Sequence, residues 1–157
     1  MDKCEYLTFV LGTETYALDI LAVKEIRSYA PVTTLANTPP YVKGVLNLRG
    51  DIVPIIDLRL KFNIGAATYT DFTIVIMLHI NERIIGIVVD EVSDVIVIDT
   101  DTIQPAPEMG GSFDSAYLDG LVEANDNLTI IVNINKLMTS QDMGIFAHIH
   151  DQVEDTI

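Results

Sequence analysis

The chain repeats itself. The segment GVLNLRGDIVPIIDLRLKF (44–62) lies over GLVEANDNLTIIVNINKLM (120–138) without a gap, at an offset of 76. Gly44 meets Gly120, Ile52 meets Leu128, Ile55 and Ile56 meet Ile131 and Val132, and Asp57 meets Asn133. Upstream, an offset of 69 aligns Ala17 with Gly86, Val23 with Val92, Glu25 with Asp94 and Ile26 with Val95. The elements keep one order in both copies, which favours duplication over chance matching of apolar residues. Two copies in 157 residues imply two similar lobes. Neither is large enough to own a sizeable core, so each must bury apolar surface against the other. A groove between lobes is then the natural binding site. Gly44 and Gly120 occupy one position of the repeat, which points to a backbone need such as positive φ or close approach.

The repeated unit is built of strands. In EYLTFVL (5–11), Leu7, Phe9 and Leu11 alternate onto one face, the period of a half-buried strand. Further strands are expected over 16–20, 23–29, 44–48, 51–58, 72–80, 84–89, 92–98, 117–123 and 128–134. Pro54 cannot donate to a ladder, so its strand is expected at an edge or bulged. The unbroken run Ile84-Ile85-Gly86-Ile87-Val88-Val89 predicts burial on both faces. One helical turn is expected over 58–62, and a weak helical pattern runs through 140–150. About ten short strands with little helix predict an all-β architecture of the barrel type.

Hydrophobic residues make up 49% of the chain, which excludes disorder over most of its length. The longest apolar region, 74–98, is interrupted at Asn81-Glu82-Arg83 and at Asp90-Glu91. It falls short of the roughly 18 uninterrupted residues of a membrane span. The N-terminus lacks a basic stretch followed by an apolar one, so a cytoplasmic location without membrane insertion is expected. Charge is uneven. Residues 1–83 hold eight basic and nine acidic side chains, a net of −1, whereas residues 84–157 hold one basic and fourteen acidic, a net of −13. Clustered Lys and Arg of the kind that displaces counterions from nucleic acid are absent, so no nucleic-acid partner is expected.

Nothing in the sequence spells a reaction. Cys4 stands alone, without a disulfide or zinc partner. His79 falls inside an expected strand, and His148 and His150 lie near the end of the chain without a rigid set of further ligands. The pairs Asp90/Glu91 and Asp99/Asp101 close strands and open turns, where solvated carboxylates are ordinary. No phosphate-binding glycine loop, nucleophile elbow or zincin helix occurs. The expectation is a binding module with no catalytic residues, no metal and no cofactor.

Several segments carry a family resemblance. YALDILAVKEIRSY (16–29), LANTPPYVKGVLNLRGDIVPIIDLRLKF (35–62), IIGIVVDEVSDV (84–95), IQPAPE (103–108) and YLDGL (117–121) resemble the CheW family of chemotaxis coupling proteins. The resemblance runs from about residue 5 to 143. It implies a single CheW-like domain over 1–150, made of two intertwined five-stranded SH3-like barrels. Lobe one would take about 16–83, lobe two about 5–15 with 84–138, and a C-terminal helix or tail 139–157. It implies an adaptor, monomeric when free, that couples methyl-accepting chemoreceptors to the histidine kinase CheA. The adaptor would hold the kinase's regulatory domain and the cytoplasmic receptor tips together in membrane-associated arrays. By the same resemblance Val23, Glu25, Gly44, Arg49 and Gly86 fall at kinase- and coupling-related positions. Ile85, Val92 and Val95 fall in a receptor groove between the lobes. Glu108 and Met109 fall at a second array interface, where Met109 replaces an aromatic often found there. For Ile85, Val92 and Val95 plain core packing is the competing reading, because the pattern does not assign the strand's faces. Glu25 and Arg49, opposite charges in apolar segments, are expected to form a partly buried pair. The alternative function is an isolated CheW-like regulatory module of another two-component kinase system, and a remoter one is a β-barrel enzyme with an unrecognised site.

Overall fold

The computed structural model describes residues 2–62, 64–65, 69–80, 82–105, 117–124 and 126–137. Among them lie ten strands: β1 (Lys3–Leu11), β2 (Glu14–Asp19), β3 (Val23–Ser28), β4 (Val42–Leu48), β5 (Asp51–Asp57), β6 (Ile74–Ile80), β7 (Arg83–Val89), β8 (Glu91–Asp99), β9 (Leu118–Ala124) and β10 (Asn127–Val132). Two single-turn helices follow matching strands of the repeat, α1 (Leu58–Lys61) after β5 and α2 (Ile134–Leu137) after β10. Their starts are capped alike: Asp57 Oδ1 accepts from the amides of Arg59 and Leu60 at 2.9 and 3.3 Å, and Asn133 Oδ1 from that of Lys136 at 3.1 Å.

The strands form two five-stranded sheets, in the orders β8-β1-β2-β10-β9 and β3-β6-β7-β5-β4. The repeat maps one order onto the other. Ile131 of β10 pairs in parallel with Ala17 of β2, and Ile55 of β5 with Gly86 of β7. Phe9 faces Val92 across β1 and β8, and Leu78 faces Val23 across β6 and β3. Each sheet thus takes the leading hairpin of one copy and the last three strands of the other. The expected all-β fold of two intertwined five-stranded units is the observed one.

The sheets divide the chain differently from the expected lobe ranges. Tyr16 to Asp19 belongs with the N-terminal strand, in β2, and Ile84 to Val89 belongs with β3, in β7. The reason is the hairpin. A two-residue link at Gly12-Thr13, with Gly12 at φ +62°, binds β2 to β1. The pair therefore moves between sheets as a unit, and β6–β7 does the same. The segment 139–157 lies outside the described residues. Pro54 sits in a strand that is interior by order, yet β5 pairs with β7 only at Ile55 to Asp57. Pro54 thus has a neighbour on one side alone, Val45 of β4.

The sheets share one core. Leu7, Phe9, Leu11, Tyr16 and Leu18 of the first pack in one cluster with Ile56, Ile76, Leu78, Ile85, Ile87 and Val89 of the second. Satellite clusters lie on the other faces, Tyr6, Ala17, Ile98, Val122 and Ile131 on the first sheet and Val53, Ile55, Val75, Met77 and Val88 on the second. This is why β7 reads as an unbroken apolar run: Ile85 and Ile87 face the shared core, and Val88 the satellite. An aromatic row crosses between the sheets, Phe9–Tyr16–Phe62–Tyr117, with centroid spacings of 5.7, 5.7 and 5.9 Å. Where the chain passes from β7 to β8, Asp90 Oδ2 accepts from Arg59 Nη1 at 2.8 Å and from the Gly12 amide at 2.7 Å. One carboxylate thereby joins α1 to the β1–β2 turn.

Burial, and secondarily the charge of Glu14, push the Tyr16 phenol up to about 12. An unfolded tyrosine titrates near 10. The folded form therefore favours the neutral phenol, and the associated stability is complete below about pH 10 and lost as pH rises toward 12. Alkaline unfolding followed by circular dichroism should steepen across that window, and Tyr16→Phe should flatten part of the loss. An identical alkaline profile in the variant would remove Tyr16 as a contributor.

Candidate protein-binding site

Of the sequence-predicted residues of the first copy, Glu25 and Arg49 line one groove of the second sheet. β4 and β5 are joined by Arg49 and Gly50, both with positive φ, +56° and +91°. A two-residue link with both centres left-handed matches the twist of a hairpin. Asn47 Oδ1 accepts from the Gly50 amide at 3.1 Å and closes the turn. Glycine takes such a φ freely, but Arg49 holds it at a cost of order 1 kcal/mol. A cavity of about 370 Å³ lies beside this turn and is lined by Glu25, Arg27, Arg49 and Asp51, with Val53, Met77 and Ile84 as its apolar part. Lys24 adds a further cation to the lining. Three cations against two carboxylates make the groove locally positive on a chain of net charge −14.

Glu25 and Arg49 therefore share a groove, but the partly buried pair expected between them is replaced. Glu25 Oε1 accepts from Arg27 Nη1 at 3.4 Å, with both side chains close to 40% exposed (38% and 41%). Residues two apart on a strand share a face, so Arg27 reaches Glu25 first. An ion pair this open contributes at most about 1 kcal/mol, and Arg49→Ala is no longer expected to destabilise the fold through a stranded charge.

The remaining residues divide by burial. Val23 opens β3 and packs half-buried against the shared core, as does its repeat partner Val92 on β8. Gly86 lies beneath the groove floor: a Cβ there would come within 2.6 Å of Ile55 Cδ1, 2.9 Å of Val75 Cγ1 and 3.1 Å of Met77 Sδ. Gly44 is buried against the 33–45 bridge, where Thr33 and Val45 exchange two backbone hydrogen bonds of 2.9 Å. Ile85 is fully buried in the shared core, which favours the core-packing reading over the receptor groove. Its neighbours in sequence gave no polar alternation from which to choose a face. Val95 is 51% exposed on β8, and Val97 is 63% exposed. These two, two residues apart on an edge strand of the first sheet, form an apolar stripe. Glu108 and Met109 lie outside the described residues.

Sequence reasoning missed Arg27, Asp51, Met77 and Val97. Val97 had a local signal, because it shares the face of Val95 by strand period. Met77 had none, since only the β3–β6 pairing brings it beneath Glu25. No helix among the described residues is long and apolar enough to cross a membrane.

Comparison with known proteins matches this architecture to one family. The CheW-like domain pattern covers residues 5–142. The chemotaxis protein CheW of Klebsiella aerogenes is 48% identical over 145 residues, spanning 92% of this chain and 87% of that one. The CheW of Rhizobium meliloti is 30% identical over 138 residues, spanning 88% and 89%. The crystal structure of the scaffolding protein TtCheW from Thermoanaerobacter tengcongensis superposes with a TM-score of 0.81 at 32% identity, over 90% of this chain and 92% of that one. With the duplicated sheets, the NLRG turn at Arg49 and a domain match over nearly the whole chain, this protein belongs to the CheW family of chemotaxis adaptors.

Proposed function

We propose that this chain couples chemoreceptors to the histidine kinase CheA by binding both, without catalysis, at the cytoplasmic side of receptor arrays. The observation that carries the reading is the presence of two separate surfaces of different chemistry. One is the charged groove at Glu25 and Arg49 on the second sheet, floored by Val53, Met77 and Ile84. The other is the exposed apolar stripe Val95–Val97 on the first sheet, beside half-buried Val92. We assign the kinase's regulatory domain to the first and the receptor tip to the second. A scaffold of this kind transmits a signal only insofar as receptor states differ in how they bind or orient it.

The test is a pair of pull-downs on each variant, one with the CheA regulatory domain and one with receptor-containing membranes. Glu25→Lys should weaken kinase capture about tenfold, the equivalent of 1.4 kcal/mol, and leave receptor capture intact. Val95→Asp should do the reverse, since a carboxylate in an apolar contact is desolvated without a partner. Equal loss of both partners in both variants, with the proteins folded, would end the separate-surface reading.

A further inference from the structure

The chain crosses from the second sheet to the first at Asp90, between Val89 of β7 and Glu91 of β8. The Asp90 amide donates to the Val10 carbonyl at 3.1 Å, and Oδ2 accepts from the Gly12 amide at 2.7 Å and from Arg59 Nη1 at 2.8 Å. The first two contacts seat the residue on β1 and its turn. The third comes from α1, whose start is fixed to the end of β5 by the Asp57 cap. β5 begins at Asp51 and carries Val53, and both line the Glu25–Arg49 groove. β8 begins one residue after Asp90 and carries Val95 and Val97. The Arg59–Asp90 pair thus stands between the strands that present the two proposed binding surfaces.

Stability does not account for the pair. Its side chains are 23% and 30% exposed, so desolvation of both charges offsets much of their attraction. Arg59 Nε is buried without a hydrogen-bond partner among the described residues, a loss as large as a typical hydrogen bond gains. What the pair supplies is direction. The core shared by the sheets is apolar, and apolar burial favours contact without fixing an angle. A charged hydrogen bond is directional and does fix one.

The repeat offers an independent comparison. Its offsets of 76 and 69 carry Arg59 onto Asn135 and Asp90 onto Leu21. Those two residues cannot form an ion pair. They line an open cavity of about 330 Å³ whose walls come from both sheets, Tyr6 and Asp19 from the first and His79 from the second. The two junctions between the sheets are therefore unlike: one is pinned by charge, and the other has a gap at the same place. We propose that Arg59 and Asp90 are positioning residues that hold β8 at a fixed angle to the β4–β5 hairpin. They thereby set the orientation in which a bound receptor presents the bound kinase, without adding to stability. This rests on the two-surface reading above.

The experiment removes both charges together, so that neither is stranded, in the double variant Arg59→Met with Asp90→Asn. The asparagine keeps an acceptor for the Gly12 amide. The thermal midpoint should stay within about 4 °C of the unaltered chain or rise above it. Capture of the CheA regulatory domain and of receptor-containing membranes should each stay within about twofold. With full-length CheA and those membranes, receptor control of kinase autophosphorylation should fall at least about fivefold. A partner-free measurement uses nitroxides at Ser93→Cys and Asp51→Cys in a Cys4→Ser chain. Pulsed electron paramagnetic resonance should give one narrow distance, broadened when the two charges are removed. A larger fall in midpoint, loss of either capture, undiminished receptor control or an unchanged distance distribution would each overturn the proposal. Failure of the unaltered chain to capture either partner would instead end the two-surface reading, and the distance measurement would still decide whether the pair fixes the angle.

Discussion

Replacing Phe62 by alanine should lower the stability of the chain by about 3–5 kcal/mol, the cost of emptying a large aromatic site in a packed core. Phe62 is 2% exposed. It follows α1 of the second sheet's half, yet its ring lies between Tyr16, on β2, and Tyr117, just before β9, at 5.7 and 5.9 Å. Both neighbours lead into the first sheet. The void would therefore open at the junction of the sheets, where relaxation needs two rigid layers to move together. Denaturant unfolding should show a lower midpoint, and Phe62→Leu should recover part of the loss by refilling volume. A change below about 1 kcal/mol for the alanine variant would mean that the junction closes without this ring.

Gly44→Asp should destabilise the fold by more than about 3 kcal/mol, combining strained backbone with a buried charge. Gly44 holds φ +148°, and a Cβ there would lie 2.2 Å from the Thr33 carbonyl oxygen and 2.8 Å from its carbon. Backbone on backbone cannot give way as a flexible side chain does. Opening the contact would cost the two Thr33–Val45 hydrogen bonds. Gly120 repeats the situation, with φ +152° and 2.2 Å to the Gln104 carbonyl oxygen. Gly44→Ala and Gly120→Ala should therefore be destabilising as well, and each less so than Gly44→Asp. The family resemblance puts Gly44 at a coupling-related position, which on its own predicts that Gly44→Asp impairs receptor coupling more than folding, and the close approach to Thr33 points the other way. Thermal unfolding decides between them: a wild-type midpoint for Gly44→Asp would restore the coupling explanation.

Strand positions, the helical turn after Asp57 and the backbone need at Gly44 and Gly120 were legible as local patterns, whereas the matching turn at Ile134–Leu137 was not, because its apolar start reads as the end of the preceding strand. The exchange of hairpins was less legible. Tyr16 to Asp19 and Ile84 to Val89 fall in either sheet with equal ease on local grounds, and only the short turns before them decide. Ile85 shows the limit of period two: in an all-apolar run both faces read alike, and burial by two clusters erases the signal. The Glu25–Arg49 groove was half visible, its members known but its ion pair misassigned, because Arg27 competes from the same strand face.

The hairpin exchange also governs how the chain comes into being. Lys3 pairs with Asp99, and Ala17 with Ile131, so the outer edges of the β1–β2 hairpin find their neighbours only from the second half of the chain. A contact map dominated by such distant pairs closes long loops before any of them is rewarded, and this topology folds slowly for its size. On the ribosome, which delivers the N-terminus first at roughly 5–20 residues per second, the first sheet has no complete partner set until β10 emerges. For seconds the β1–β2 edges stand open as templates for another nascent chain, and a pair of chains that traded these hairpins would satisfy every strand of both.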